Sequence, residues 1–185
     1  VANAENTYAY YLGALVFVHS FQNNIPRIDI LDGQQRLTTL YLFCAALIKN
    51  LQDLISKIEG SNIDNVDKVL ETAKINEKID ILEGHLTNEN NDTILKMGYK
   101  DDIKHFEYCV TTYGNNPLSN DLKKTHPILK AFYLLDEKIQ QEISYTDGHN
   151  AENSASNELE NFKDIKEKLY MLSDYMTGES CEISY

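Results

Sequence analysis

Asp32, Gln34, Gln35, Arg36, Thr38 and Thr39 set a carboxylate, two amides, a guanidinium and two hydroxyls in one short stretch around Gly33. The amides, hydroxyls and guanidinium among them suit an anion. Asp32 is a good helix N-cap, and Gln35 three residues later completes a capping-box pattern. A helix opening there offers its backbone N–H groups and the positive end of its dipole to phosphate. Arg36, one turn in, adds a forked cationic contact to the same anion. Gly33 permits a tight backbone path or a close approach by a ligand. The same spacing also describes a helix cap with a polar first turn and no ligand, and spacing alone leaves both readings open. It is not a Walker loop, because no glycine-rich run precedes it and no Lys-Ser or Lys-Thr follows.

The elements on either side must hold this stretch in place. Pro26 to Leu31 is short and rich in branched apolar residues, and it stops at Asp32-Gly33, which predicts a strand. Tyr10 to His19, with Leu15 to Val18 unbroken, predicts a buried strand ahead of the Gln22-Asn23-Asn24 cluster, so the two form a β-hairpin. His19 falls beside the turn and reads as a surface imidazole. After Gly33, Leu37, Leu40, Tyr41, Cys44, Leu47, Ile48, Leu51, Leu54, Ile55 and Ile58 recur at helical spacing, predicting a central helix from Gln34 to about Glu59, stopped by Gly60.

The segment Tyr10–Leu47, with Leu12-Gly13 and the block Asp32-Gly33-Gln34-Gln35-Arg36-Leu37-Thr38-Thr39-Leu40, resembles the core of the GmrSD-type restriction-endonuclease N-terminal family. The resemblance implies a ParB/sulfiredoxin-like fold with a nucleotide phosphate or nucleic acid at this turn. It further implies nucleoside triphosphate binding or hydrolysis, with GTP or ATP and Mg2+, coupled to DNA restriction in defence against phage. Carried onto this chain, catalytic roles fall to Asp32, Gln35 and Arg36, and phosphate contacts to Gly33, Gln34, Gln35, Arg36 and Thr38. Gln34 and Gln35 hydrogen-bond phosphate or water, and Arg36 neutralises phosphate charge. Asp32 either caps the helix or orients a metal-bound water. The family's upstream Pro-x-Tyr-Gln-Arg-type motif does not occur in residues 1–9, which implies a site completed elsewhere.

Composition narrows the classes. The chain has 185 residues and a formal charge of −12, from 29 acidic and 17 basic side chains. That is the wrong sign for a chain whose main task is gripping a phosphate backbone. DNA contact is therefore expected from the remainder of the full-length protein or from a partner. Cys44, Cys109 and Cys181 form no CxxC pair and no metal-ligand spacing, which predicts a reducing compartment and no protein-held metal. No segment reaches membrane-spanning length, so the expectation is a cytoplasmic chain without a membrane partner.

Downstream of Gly60 the sequence reads as helices. Asn62–Leu82 carries Val66, Val69, Leu70, Ala73, Ile79 and Leu82 as a weaker amphipathic stripe, followed by a turn-rich break over Glu83–Asp92. Helices are predicted over Lys100–Tyr113, from Ser119 or Asn120 to Ile143 with a break near Pro127, and over Asn157–Tyr175. His105 and Glu107 make no HExxH pattern and read as surface. His149-Asn150 lacks a second histidine and flanking ligands, so it is not a nuclease module. Cys181–Tyr185 is expected to return as a strand. The predicted architecture is α+β: a partial ParB/sulfiredoxin-like core over 1–60, and a helical subdomain over 61–185. Three functions are compatible with it: a nucleotide-binding or NTP-hydrolysing module of a restriction protein, a ParB-like nuclease or DNA-phosphate-binding domain, and a non-catalytic scaffold fragment.

Overall fold

The computed structural model describes residues 14–22, 25–115, 118, 123, 125–144 and 155–177. Leu12-Gly13, residues 119–122, His149-Asn150 and the expected strand over Cys181–Tyr185 lie outside the described residues. The fold is mostly helical with a small antiparallel sheet, an α+β arrangement. It divides into two compact units, Val1–Thr38 and Thr39–Tyr185.

In the first unit, β1 (Val16–Gln22) pairs antiparallel with β2 (Ile25–Asp32). Phe17 stands opposite Ile30, His19 opposite Ile28 and Phe21 opposite Pro26, and an irregularity between Val16 and Phe17 sets Val16 opposite Asp32. Because side chains alternate across a strand, this register puts Phe17, His19, Phe21, Ile28 and Ile30 on one face and leaves Val18 on the opposite one. Ser20, Arg27 and Asp29 share the other. There the Ser20 hydroxyl donates to Asp29 at 2.6 Å and Arg27 pairs with the same carboxylate at 2.6 Å. These contacts hold the Asp29 carboxyl below its usual value, the Ser20 bond foremost. The antiparallel pairing is as predicted, but β1 runs past His19 to Gln22, and the predicted burial is not met. Phe17, Phe21, Ile28 and Leu31 are each more than half exposed, and Leu15, Val16 and Val18 are exposed as well. An apolar run is buried only where a second layer covers it, and among the described residues the sheet has two strands.

The helix α1 spans Gln34–Gly60, and its 27 residues extend about 40 Å at 1.5 Å per residue. From Thr39 onward it belongs to the second unit, with α2 (Asn65–Leu86), α3 (Lys100–Thr112), α4 (Pro127–Ser144) and α5 (Ala155–Thr177). Leu42, Ala45, Ala46, Leu47, Ile48 and Leu51 of α1 are almost wholly buried, beside Phe106, Val110, Leu129, Phe132 and Leu169 from the other helices. Pro127 takes the first helical position of α4, where its missing N–H costs nothing. The free thiols of Cys44 and Cys109 are buried in this core, and burial pushes them up to about 11 and about 12.

Polar contacts set which way the helices face. Asp136 of α4, buried, accepts from Asn50 of α1 at 2.8 Å and Gln140 at 3.2 Å, and pairs with Lys49 at 3.1 Å. Asn50 also donates to the Ala46 carbonyl. On α2, Glu71 is buried and pairs with Lys166 of α5 and with Lys74, while Lys78 pairs with Asp174 at 2.6 Å. Tyr170 donates to the Lys74 carbonyl at 2.8 Å, and the Asn62 N–H reaches Glu158 at 3.4 Å. The partners on α5 advance in step with those on α2, so the two helices run parallel.

This pairing overturns the expected face of α2 over its first turns, while Ile79 and Leu82 of the expected stripe are buried as predicted. Val66, Val69 and Leu70 point outward, and Glu71, Ile75, Lys78, Ile79 and Leu82 point inward. Two stripes compete on this helix, and the ionic contacts with α5 select the charged one. The predicted break over 83–92 starts later, because α2 continues to Leu86 and closes with a Thr87–Thr93 bridge.

Glu71 gives the second unit a pH dependence. Burial alone would raise its carboxyl, but the hydrogen bonds and charges of Lys166 and Lys74 outweigh burial and hold it below its ordinary value. A carboxyl depressed in the folded state adds stability above its unfolded value, about pH 4.3, and loses it as pH falls through the folded value. Chemical denaturation between pH 7 and pH 3 is therefore expected to show a decline below about pH 4.3 that is shallower in Glu71→Gln. An equal slope in both proteins would refute it.

Candidate functional site

The junction of β2 and α1 builds the candidate site. Gly33 is buried and adopts φ +90, a conformation that side-chain-bearing residues rarely hold. A Cβ there would collide with Leu15 Cδ2 and lie 3.3 Å from Arg36 Nη2. Leu37 N–H donates to the Gly33 carbonyl at 3.0 Å, so Gly33 rather than Asp32 stands at the cap position of α1. The glycine takes that place because the chain reverses there with positive φ. Asp32, one residue earlier, accepts the Gly33 N–H at 2.8 Å through Oδ1 and pairs through Oδ2 with Arg36 Nη2 at 3.3 Å.

The structure thus brings Asp32, Gly33 and Arg36 together, with the guanidinium beside the glycine backbone. Gln34 turns back along β2 and donates to the Ile30 carbonyl at 2.6 Å. Thr38 donates to the Gln34 carbonyl at 2.8 Å, within the helix. Gln35 is exposed on the first turn. The contacts of Leu15 and the Ile30 carbonyl were not foreseen from sequence, since both come from backbone geometry rather than residue type.

A family model described as the GmrSD restriction endonuclease, N-terminal domain, matches residues 3–181. The chain belongs to this family. Membership implies a role in restriction. No curated protein and no solved structure matches the chain.

In this GmrSD N-terminal domain the turn supplies one carboxylate, Asp32. Among the described residues no group of three or more His, Cys, Asp or Glu side chains is placed to hold a metal. Mg2+ is usually bound by one or two carboxylates together with substrate phosphates. A single carboxylate at the turn would suit an ion that arrives with a nucleotide's phosphates.

A second cluster of titratable groups lies in the helical unit. His126 stands just ahead of α4, with Nε2 at 3.5 Å from Asp102 Oδ1 and its ring 4.0 Å from that of His105. His126 Nδ1 is buried without a hydrogen-bond partner among the described residues. His105, read from sequence as surface, packs its ring at a tilt against His126 and is partly buried. Burial, then the neighbouring His126, lowers its pKa. One His126 nitrogen is buried and the other faces Asp102, and the ring contact with His105 links α3 to the start of α4. No helix is long and apolar enough to cross a membrane among the described residues.

Proposed function

We propose that the turn from Asp32 to Thr38 binds the phosphates of a nucleoside triphosphate, GTP or ATP with Mg2+, within a modification-dependent DNA restriction protein. The observation that carries this reading is the placement of Arg36 beside the Gly33 backbone at the start of α1. An anion at that point meets the guanidinium and the positive end of the helix dipole together. Binding exchanges the 3.3 Å Asp32–Arg36 pair for a guanidinium–phosphate pair. Asp32 is exposed and Arg36 is 35% exposed, and surface pairs of this kind contribute little to stability. The exchange therefore costs little.

Gln35 is exposed on the first turn and has room to orient phosphate or water, and Asp32, released from Arg36, is free to contact the nucleotide's ion. Gln34 acts in the same scheme by tying the turn to the Ile30 carbonyl, and Thr38 by closing the first helical turn on the Gln34 carbonyl. A ParB/sulfiredoxin-like core is the fold reading that accords with this strand, turn and helix. DNA contact falls to the rest of the full-length protein or to a partner, consistent with the net charge of −12.

Calorimetric titration of the full-length protein with GTP and with ATP, with and without Mg2+, tests this. Arg36→Ala is expected to weaken binding by about tenfold to a hundredfold, the worth of one to two charge-assisted hydrogen bonds. Circular dichroism should find the variant folded. Equal affinity in wild type and variant, or cleavage of DNA by this chain without nucleotide, would sink the proposal.

A further inference from the structure

The outer face of α2 runs against the rule that apolar side chains turn inward. Val66 is 75% exposed, Val69 69% and Leu70 51%, and with Asn65 and Ala73 they line a shallow apolar groove. Their spacing, i, i+3, i+4 and i+7, is the anchor pattern by which one helix receives another. On the reverse side of the same turns sits Glu71, 5% exposed and held by Lys166 and Lys74. The chain therefore secures α2 to α5 with charge and leaves its branched apolar residues outside.

Further along, the outward stripe changes character. Glu77 and Asp80, both exposed, follow Ala73 on the same side at helical spacing. The cations of this helix are engaged elsewhere. Lys68 donates to the Glu59 and Ser61 carbonyls, Lys74 to Glu71 and Lys78 to Asp174. The outer face thus reads as two apolar turns followed by an acidic end.

We infer that this face docks a basic amphipathic helix of a partner protein, its apolar side chains on Val66, Val69, Leu70 and Ala73 and its Lys or Arg residues opposite Glu77 and Asp80. Charge complementarity selects this occupant over a second copy of the chain. Parallel pairing of two α2 helices sets Glu77 against Glu77. Antiparallel pairing about Val69 and Leu70 sets Glu77 and Asp80 toward the other copy's helix start, where Asp64 and Asp67 add negative charge. An anionic lipid surface is disfavoured on the same ground.

The probe is a synthetic helical peptide of about three heptads, Leu at the a and d positions and Lys elsewhere, beside a version with Glu for every Lys. Fluorescence anisotropy at about 0.15 M salt, where the Debye length is about 8 Å, is expected to show at least about tenfold tighter binding of the Lys peptide. Val69→Asp should abolish that binding although it adds attractive negative charge, and Val66→Asp should repeat the result, each with an unchanged circular dichroism spectrum. The double variant Glu77→Lys/Asp80→Lys should lose the preference for Lys over Glu. The charge-matched variant Glu142→Lys/Glu160→Lys, on exposed positions of α4 and α5, should keep it. Equal loss in the charge-matched variant would reduce the effect to net charge and overturn the proposal. Dimerisation of the chain in sedimentation that Val69→Asp abolishes would also overturn it, by making a second copy the occupant.

Discussion

Asp136→Ala is expected to lower the unfolding free energy of the helical unit by about 3–5 kcal/mol, the range found when one partner of a buried ion pair is removed. Asp136 is 7% exposed and accepts from Asn50 and Gln140 while pairing with Lys49. Among the described residues, truncation leaves the Lys49 ammonium, itself mostly buried, beside Asp53, and leaves Asn50 with the Ala46 carbonyl. The cost arises from these stranded donors more than from the lost attraction. Replacing both charged partners, Lys49→Met with Asp136→Leu, should therefore recover much of the loss. Urea denaturation of the three proteins at one pH provides the comparison. If the double variant is no more stable than Asp136→Ala, the network holds the helices by net attraction and the explanation is wrong.

Phe132→Ala should cost a similar amount, about 3–5 kcal/mol, as for large aromatic truncations in other cores. Phe132 is fully buried, and its ring edge packs against Tyr133 with centroids 5.2 Å apart. The same ring closes over Gly114, which holds φ +70 just after the left-handed Tyr113 that ends α3. A Cβ on Gly114 would stand 2.7 Å from Phe132 Cε1. Gly114→Ala alone thus carries two penalties: backbone strain of about 1–3 kcal/mol and overpacking of a similar size. With Phe132 already truncated, only the strain remains. The two losses should fall short of adding by about 1–3 kcal/mol in a double-mutant cycle, the signature of a shared contact. Strict additivity would show that the loop moves away from the ring at no cost.

Much of this architecture was legible where the controlling interactions are local. Alternation and the Asp32-Gly33 stop announce β2. The apolar period of α1 continues until Gly60, and α3 and α5 begin and end within a few residues of their periodic patterns. What escaped is decided at long range. Nothing near Val66 shows that it faces outward, because that follows from Glu71 meeting a lysine on a helix far downstream. The hairpin residues Phe17 and Phe21 read as interior because an apolar run carries no information about whether a second layer exists. In the candidate site, the residue types at Asp32, Gly33 and Arg36 marked the turn, but they did not show that Asp32 pairs with Arg36. They did not foretell that Gly33 takes the cap position, which rests on its positive φ, or that Gln34 and Thr38 are bound to backbone carbonyls.

The parallel seating of α2 on α5 has a consequence for how the molecule assembles. The pairs Asn62–Glu158, Glu71–Lys166, Lys74–Tyr170 and Lys78–Asp174 all join residues 95 or 96 positions apart. Contacts of that separation reward the chain only after a large loop has closed, whereas α3 and α4 meet across a short connection. On a ribosome adding roughly 5–20 residues per second, α2 waits about 5–20 s before its partner exists. Throughout that interval Glu71 and Lys78 lack their partners on α5, on a helix whose opposite face is apolar. The nascent chain is then most open to aggregation, and most dependent on a chaperone, between the emergence of Leu86 and that of Asp174.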